Sequence, residues 1–128
     1  MILGGKKTVT FNGPGVYVFN SITNSGSSNT FKFNFQNTTT GEIYIYVHGN
    51  AWLGKFKANF QSGGDASRVY METHGTGTPG DPAAFKISNG SPTGGSNKDS
   101  RFEGTIYAPY AAIDIGSGTG STQMNGAF

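Results

Sequence analysis

The sequence predicts an all-β protein and, within that class, a right-handed β-solenoid of about five coils. Three observations lead to this prediction. Gly, Ser, Thr and Asn make up 58 of the 128 residues, while 13% of the chain is aromatic. Apolar and polar residues alternate along short segments, and a two-strand unit recurs once along the chain. A β-sandwich or jelly roll with antiparallel strands is the alternative.

Alternation with a period of two identifies the strands. In the segment FKFNFQ, the side chains of Phe31, Phe33 and Phe35 point to one face and the polar residues between them to the other. Strands are predicted, in chain order, at 8–11, 16–19, 31–36, 43–48, 56–61, 69–74, 85–88, 102–108 and 112–115, with a last one near Met124. The Gly-, Pro- and Ser-rich segments 75–82 and 88–100 are predicted to be loops.

The internal repeat predicts how the coils stack. FKFNFQN at 31–37 recurs as FKANFQS at 56–62, and IYIYVHG at 43–49 recurs as VYMETHG at 69–75. The two shifts, of 25 and 26 residues, match the length of one solenoid coil. Stacking at the first spacing puts three pairs of side chains in contact: Phe31 on Phe56, Asn34 on Asn59 and Phe35 on Phe60.

Charge and cysteine content exclude several classes of protein. The net charge is only +2, and the basic residues are spread from Lys6 to Arg101, which argues against a nucleic-acid-binding protein. The chain has no cysteine, so it has neither disulfides nor a thiolate zinc site. No apolar run approaches the roughly 20 residues of a membrane-spanning helix. We therefore expect no nucleic-acid partner, no membrane span and no cofactor.

The aromatic residues give the candidate ligand-binding site. If Ile43, Ile45 and Val47 face the core, then Tyr44 and Tyr46 face outward. The repeat adds a third tyrosine one coil further on and a histidine beyond each strand. Sugar rings and partner proteins both favour such aromatic platforms, and the alternative is a second packed surface. The predicted ligand-binding residues are Tyr44, Tyr46, Tyr70, His48, His74 and Trp52.

The sequence offers little for metal binding or catalysis. His48 and His74 are in register and, with Glu72, supply only three nameable ligands, and each histidine is better explained as the exposed end of a strand. The segments Gly63–Asp65 and 97–99 are typical of turns rather than calcium loops. No nucleophile, base and orienting group can be assembled. We therefore predict no metal site and no enzymatic activity.

Four phrases resemble a known family. They are GPGVYVFNSI at 13–22, IYIYVHGNAWL at 43–53, FEGTIYAPYAAIDI at 102–115 and MNGAF at 124–128. In this order they are similar to the β-helical domains of bacterial secreted and cell-surface proteins of the choice-of-anchor A type, and more loosely to β-solenoid ice-binding adhesins. The chain departs from the first pattern at His48, His74 and Tyr110, where that family usually has Asn, and it lacks the long helix and the regular Thr ladder of the second group.

The resemblance implies a secreted or cell-surface protein with a structural or adhesive role. A glycan- or matrix-binding module is the alternative. We interpret residues 1–128 as one domain, either complete or cut from a longer surface protein. Unpaired strand edges on the terminal coils would allow copies to stack head to tail into a filament. The residues predicted for that interface are Val9, Phe11, Ile113, Ile115, Met124 and Phe128.

Overall fold

The chain winds through three parallel β-sheets, which we call A, B and C. The structure is a computed structural model that describes residues 1–24, 29–54, 56–87, 100–116 and 122–127. Sheet A contains β1 (Ile2–Leu3), β4 (Ile22–Asn24), β7 (Ala51–Leu53), β10 (Ala83–Ile87) and β13 (Ala112–Ile115). Sheet B contains β2 (Thr8–Asn12), β5 (Asn29–Asn34), β8 (Phe56–Gln61), β11 (Ser100–Glu103) and β14 (Thr122–Asn125). Sheet C contains β3 (Gly15–Phe19), β6 (Ile43–Val47), β9 (Val69–Thr73) and β12 (Thr105–Tyr107).

Each strand pairs in parallel with the strand three places later in the chain, so one coil contributes one strand to each sheet. This is a β-helix of about four to five coils, and the predicted solenoid is confirmed. The antiparallel sandwich is excluded because every pair of named strands is parallel. A helical turn (Ala66–Arg68) precedes β9. No helix in the described ranges is long and apolar enough to cross a membrane.

The core is a stack of aromatic and aliphatic side chains enclosed by the three sheets. Phe11, Phe31, Phe33 and Phe56 are each at most 1% exposed. The rings of Phe11 and Phe33 stack with centroids 5.5 Å apart, and those of Phe31 and Phe56 meet edge to face at 4.6 Å. Neither contact is available to a single coil, so the coils are held together by burial of these side chains between rungs.

The stacking register predicted for β5 and β8 is wrong by two residues. Phe31 pairs with Ala58 instead of Phe56, while Lys32 pairs with Asn59 and Phe33 with Phe60. A slip of two leaves every side chain on its predicted face because strands alternate with a period of two. Placing a small alanine beside Phe31 leaves room for the Phe56 ring to pack diagonally against it. In sheet C the predicted shift is confirmed, since Ile43 pairs with Val69.

The segment 102–108 is not one strand. It turns a corner at Gly104, whose φ is +142°, and divides into β11 in sheet B and β12 in sheet C. A Cβ atom at Gly104 would lie 2.9 Å from the carbonyl oxygen of Val69. Only glycine accommodates both the left-handed backbone and this close approach to the coil below.

Three strands of two or three residues, β1, β4 and β7, escaped prediction because so short a segment shows no alternation. The loop at 75–82 lies outside the named strands, with an isolated bridge between Thr78 and Asp81. Asp65 forms a turn as predicted, and its side chain accepts a hydrogen bond from the Ser67 amide at 2.8 Å. The predicted loop at 88–100 lies outside the described residues except for Ser100, which begins β11.

Candidate functional site

The outward side chains of sheet C form a largely aromatic and apolar surface, which we call the tyrosine face. They alternate with the inward side chains of β3, β6, β9 and β12. The members of the face are Val16, Val18, Tyr44, Tyr46, Tyr70, Glu72, Thr105 and Tyr107. Since neighbouring strands lie about 4.8 Å apart, the four strands give a face about 14 Å across.

Three tyrosine rings occupy the middle of this face. The rings of Tyr44 and Tyr46 are parallel to within 4° and their centroids are 6.3 Å apart. Tyr70, one coil further on, lies 5.8 Å from Tyr44 and 6.5 Å from Tyr46. The outward strip of tyrosines predicted from the sequence is therefore confirmed as an arrangement. Its role in ligand binding stays a prediction.

A hydrogen-bonded row of polar groups runs along β9 beside the rings. The Tyr70 hydroxyl donates to Glu72 Oε2 at 2.9 Å, and His74 Nε2 donates to the other carboxylate oxygen. The bond from His74 is the main cause of the lowered pKa of Glu72. Partial burial, followed by the bond to Glu72, raises the pKa of Tyr70 to about 12. The row therefore carries a charged carboxylate and a neutral phenol at neutral pH.

A second carboxylate lies beside the first tyrosine. Glu42 immediately precedes β6, and its hydrogen bond with the Tyr44 hydroxyl is the main cause of the raised pKa of Tyr44. The four strands of sheet C, all of whose residues are described, contain no lysine or arginine. The face itself therefore carries the Glu72 carboxylate and no lysine or arginine, while Glu42 and Arg68 lie at its rim. An anionic ligand would be repelled from the Glu72 carboxylate.

The two histidines lie where the sequence predicts, on adjacent rungs just after β6 and β9. The His74 amide donates to the Val47 carbonyl at 2.9 Å, which continues the strand pairing up to this residue. The His74 ring meets Tyr110 edge to face at 5.3 Å. In the described part of the chain, no three side chains of His, Asp or Glu are grouped so as to hold a metal ion.

Two depressions adjoin each other on the tyrosine face. One, of about 260 Å³, is lined by Val18, Tyr46, Val47, His48, Glu72 and His74. The other, of about 300 Å³, is lined by Tyr70, Thr105, Ile106, Tyr107 and Ala127. Glu72, in the lining of the first, accepts the hydrogen bond of Tyr70, in the lining of the second. Together they give two shallow, mainly apolar hollows that lie diagonally across the strands.

Trp52 does not belong to this surface. It lies on β7 in sheet A, and its Nε1 donates to the Ala83 carbonyl at 2.7 Å. Trp52 therefore lies on a different sheet from the tyrosines, which the sequence does not indicate because the three residues of β7 are too few to show alternation. Sequence reasoning also missed Val16 and Val18, which are 63% and 59% exposed. Tyr17 and Phe19, on the opposite side of β3, are also large and apolar, so alternation alone does not reveal which set faces outward.

Five of the six residues predicted for head-to-tail assembly lie on the first and last described rungs of sheets A and B. Phe11 is 1% exposed and Val9 is half-buried. Ile113 is half-buried, whereas Ile115 is 41% exposed. The side chain of Met124 and the whole of Phe128 lie outside what the structure describes. The assembly itself stays a prediction.

Comparison of the chain with protein-family models, with curated protein sequences and with solved structures gave no match. The resemblance of the four sequence phrases therefore has support at the level of the β-solenoid fold, and no family is identified.

Proposed function

We propose that this protein is a non-catalytic adhesive module of the cell exterior and that its tyrosine face binds a neutral polysaccharide. The observation that carries the proposal is the group of three tyrosine rings, within 6.5 Å of one another, interleaved with a carboxylate and an imidazole. Sugars combine apolar C–H faces, which pack on aromatic rings, with hydroxyl groups, which need hydrogen-bonding partners. The face offers both.

The polar groups of the face favour a sugar over the apolar surface of another protein. Covering Glu72 and His74 with an apolar surface would remove their water without replacing its hydrogen bonds, which is costly for charged and polar groups. A polysaccharide replaces that water with hydroxyl groups. The two adjoining depressions further suit an extended ligand that contacts the face at more than one unit.

The acid–base state of Glu72 supports a binding role over glycoside hydrolysis. Enzymes that cleave sugars need a carboxylic acid whose pKa is raised so that it can protonate the leaving group. The pKa of Glu72 is instead lowered, and its two oxygens accept hydrogen bonds from Tyr70 and His74. Placement at the cell exterior rests on the resemblance of the sequence phrases to surface β-helical domains.

Binding of neutral polysaccharides, measured by isothermal titration calorimetry after a glycan-array screen, tests the proposal. Saturable binding is expected for the native chain, with loss of binding in Tyr44→Ala and Tyr46→Ala. Trp52→Ala, which removes an outward aromatic side chain from sheet A, serves as the matched control and should bind normally. Circular dichroism and the melting temperature establish that each variant is folded.

Three results would contradict the proposal. Failure of the native chain to bind any neutral polysaccharide would contradict the proposed class of ligand. Normal binding by Tyr44→Ala would contradict the proposed location of the site. Release of shorter sugars from a bound polysaccharide would show that the protein is an enzyme.

Head-to-tail self-association is the second candidate function. In the described sheets, β1, β2 and β3 each pair with a single neighbouring strand, which is the observation that favours it. Sedimentation velocity at rising concentration is expected to give progressively larger species, and electron microscopy is expected to reveal fibres. A monodisperse monomer at high micromolar concentration would contradict this second proposal.

A further inference from the structure

The outward side chains of sheet B differ in chemistry from those of sheet C. In β2, β5 and β8, all of whose residues are described, every outward side chain is polar, and we call this surface the polar face. Its members are Thr8, Thr10, Asn12, Thr30, Lys32, Asn34, Lys57, Asn59 and Gln61. None of them carries a negative charge, and none is aromatic.

The basic residues of the chain are concentrated at this face. Lys32 and Lys57 lie on it, and Lys6 and Lys7 are exposed just before β2. The backbone register places position 101, an arginine, beside Lys57. Five of the seven basic residues in the described ranges therefore lie in sheet B or lead directly into it. Glu103, the one carboxylate within the described strands of the sheet, is only 6% exposed.

The other two described basic residues lie outside sheet B, close to carboxylates or backbone carbonyls. Lys86 on sheet A forms an ion pair with Asp81 and lies 3.4 Å from Asp114. The Arg68 guanidinium donates to backbone carbonyls, including those of Gly41 and Thr40. The strands of sheet C contain no lysine or arginine and those of sheet A contain one, so sheet B has the most basic residues of the three sheets within the described ranges.

The polar face is also regular. Lys32 on β5 and Lys57 on β8 are diagonal neighbours, because Lys57 pairs with Thr30 and Lys32 pairs with Asn59. With a strand spacing of about 4.8 Å and a rise of about 3.3 Å per residue, the backbones of these two lysines lie about 8 Å apart on adjacent strands. Beside them, Asn34 Nδ2 donates to Asn12 Oδ1 at 2.9 Å, which fixes the amides on adjacent rungs.

We propose that the polar face binds an acidic polysaccharide whose sugar units carry carboxylates. The lysines supply charge complementarity, and the threonine hydroxyls and side-chain amides supply hydrogen-bonding partners for sugar hydroxyls. A single-stranded nucleic acid fits less well because this face has no aromatic side chain on which bases stack. An anionic membrane fits less well because the face has no apolar side chain that could enter the lipid.

This second site is independent of the tyrosine face. It lies on a different sheet and selects ligands of different charge character, since the tyrosine face carries Glu72 and no lysine or arginine. A module with both sites would cross-link a neutral and an acidic polymer, which is consistent with an adhesive role.

Polygalacturonate is the probe for the test. Its binding to the full chain, followed by biolayer interferometry, is expected to weaken steeply as NaCl is raised from about 50 to about 300 mM, as ionic contacts are screened. Lys32→Gln and Lys57→Gln are each expected to weaken binding by about fivefold, the effect of losing one surface cation against an anionic polymer. Lys32→Arg, which keeps the charge, should bind as the native chain does.

Lys86→Gln is the control for net charge because it removes one positive charge from sheet A. Normal affinity is expected for it and for Tyr44→Ala, which separates this site from the tyrosine face. Absence of polygalacturonate binding, insensitivity of binding to salt, or equal loss in Lys86→Gln and Lys32→Gln would each overturn the proposal. Tighter binding to single-stranded DNA or to anionic lipid vesicles than to polygalacturonate would overturn it in favour of that partner.

Discussion

Removal of the Arg68 guanidinium should destabilise the corner that leads into the tyrosine face. This corner, residues 35–42, joins β5 to β6, so its conformation determines the position of Tyr44 near the start of β6. Arg68 lies one coil away, at the start of β9, and donates to the Thr38 carbonyl at 2.9 Å and to the Gly41 carbonyl at 2.8 Å. Its guanidinium also lies 4.1 Å from the centroid of the Phe35 ring.

The planar guanidinium explains why arginine is needed at this position. It further donates to the carbonyls of Gly63 and Thr40 and to Thr38 Oγ1, at 3.0, 2.8 and 3.1 Å. These acceptors lie around one plane, in which the five N–H groups of arginine point outward. A lysine ammonium has three donors in a compact tetrahedral arrangement and would leave carbonyls without protein partners.

The size of the effect follows from the contacts. We count only the two part-buried bonds to Thr38, since solvent replaces exposed bonds at little cost. At about 1 kcal/mol each, with about 0.5–1 kcal/mol for the cation–π contact, Arg68→Ala should lower the free energy of unfolding by about 2–3 kcal/mol. The melting temperature should fall by on the order of 10 °C. Arg68→Lys should lose about half as much, since it keeps the stem and the charge.

Thermal and urea unfolding followed by circular dichroism measure the loss, and amide hydrogen exchange locates it. Exchange should accelerate first at the Thr38 amide, which donates to the Phe35 carbonyl at 2.9 Å in the native corner. Arg68→Lys that is as stable as the native chain would refute the role given to the planar donor group. Arg68→Ala with unchanged exchange at Thr38 would refute the local nature of the effect.

Three further predictions concern the tyrosine face, the core and one corner. In an alkaline titration followed by the ultraviolet absorbance of phenolate, Tyr70 should ionise near its pKa of about 12, and Glu72→Gln should lower that value. Because folding raises this pKa from its usual value of 10.0, the stability that Tyr70 contributes is complete below pH 10 and is lost as the pH rises towards 12. Ala58→Phe should destabilise the fold by about 1–3 kcal/mol in urea unfolding, since it overpacks the space beside Phe31. Gly104→Ala should lower the melting temperature, because its Cβ would meet the Val69 carbonyl on a left-handed backbone.

For each of these three predictions, one experimental result would contradict it. An unchanged high-pH ionisation in Tyr70→Phe would mean that another tyrosine is responsible. A stable Ala58→Phe variant would favour the register that the sequence repeat predicts, in which Phe31 stacks on Phe56. A melting temperature of Gly104→Ala equal to that of the native chain would show that this corner tolerates a side chain.

Alternation and repetition were enough to predict the solenoid, because both report directly on which side chains are buried. They determined the inward faces of β5 and β6 and the outward position of Tyr44. They did not determine the register of sheet B, because a shift of 25 and the observed pairing of Phe31 with Ala58 bury the same faces. That choice depends on how Phe31 and Phe56 share space, which becomes defined only when the coils stack.

Sequence repetition also could not reveal the polar row beside the tyrosines. Glu72 falls opposite Tyr46 in the repeat, so the bonds of Glu72 to Tyr70 and His74 have no counterpart one coil earlier. The repeat shift of 25 already places Lys32 beside Lys57 on one outward face, and the observed register keeps the two as diagonal neighbours. The exposed Lys6 and Lys7 join them because β2 pairs with β5, a pairing that the repeat does not include.

The loop between β9 and β10 shows that a coil can be longer without a change in how its strands pair. Between His74 and Ala83 the chain leaves the sheets, folds back through the paired hydrogen bonds of Thr78 and Asp81 at 2.8 and 3.0 Å, and re-enters in register with β7. Extra residues at such a corner therefore do not disturb the rungs on either side. A foreign peptide inserted between Thr78 and Asp81 would be displayed from a rigid support, which makes this corner a natural attachment point for engineering the molecule.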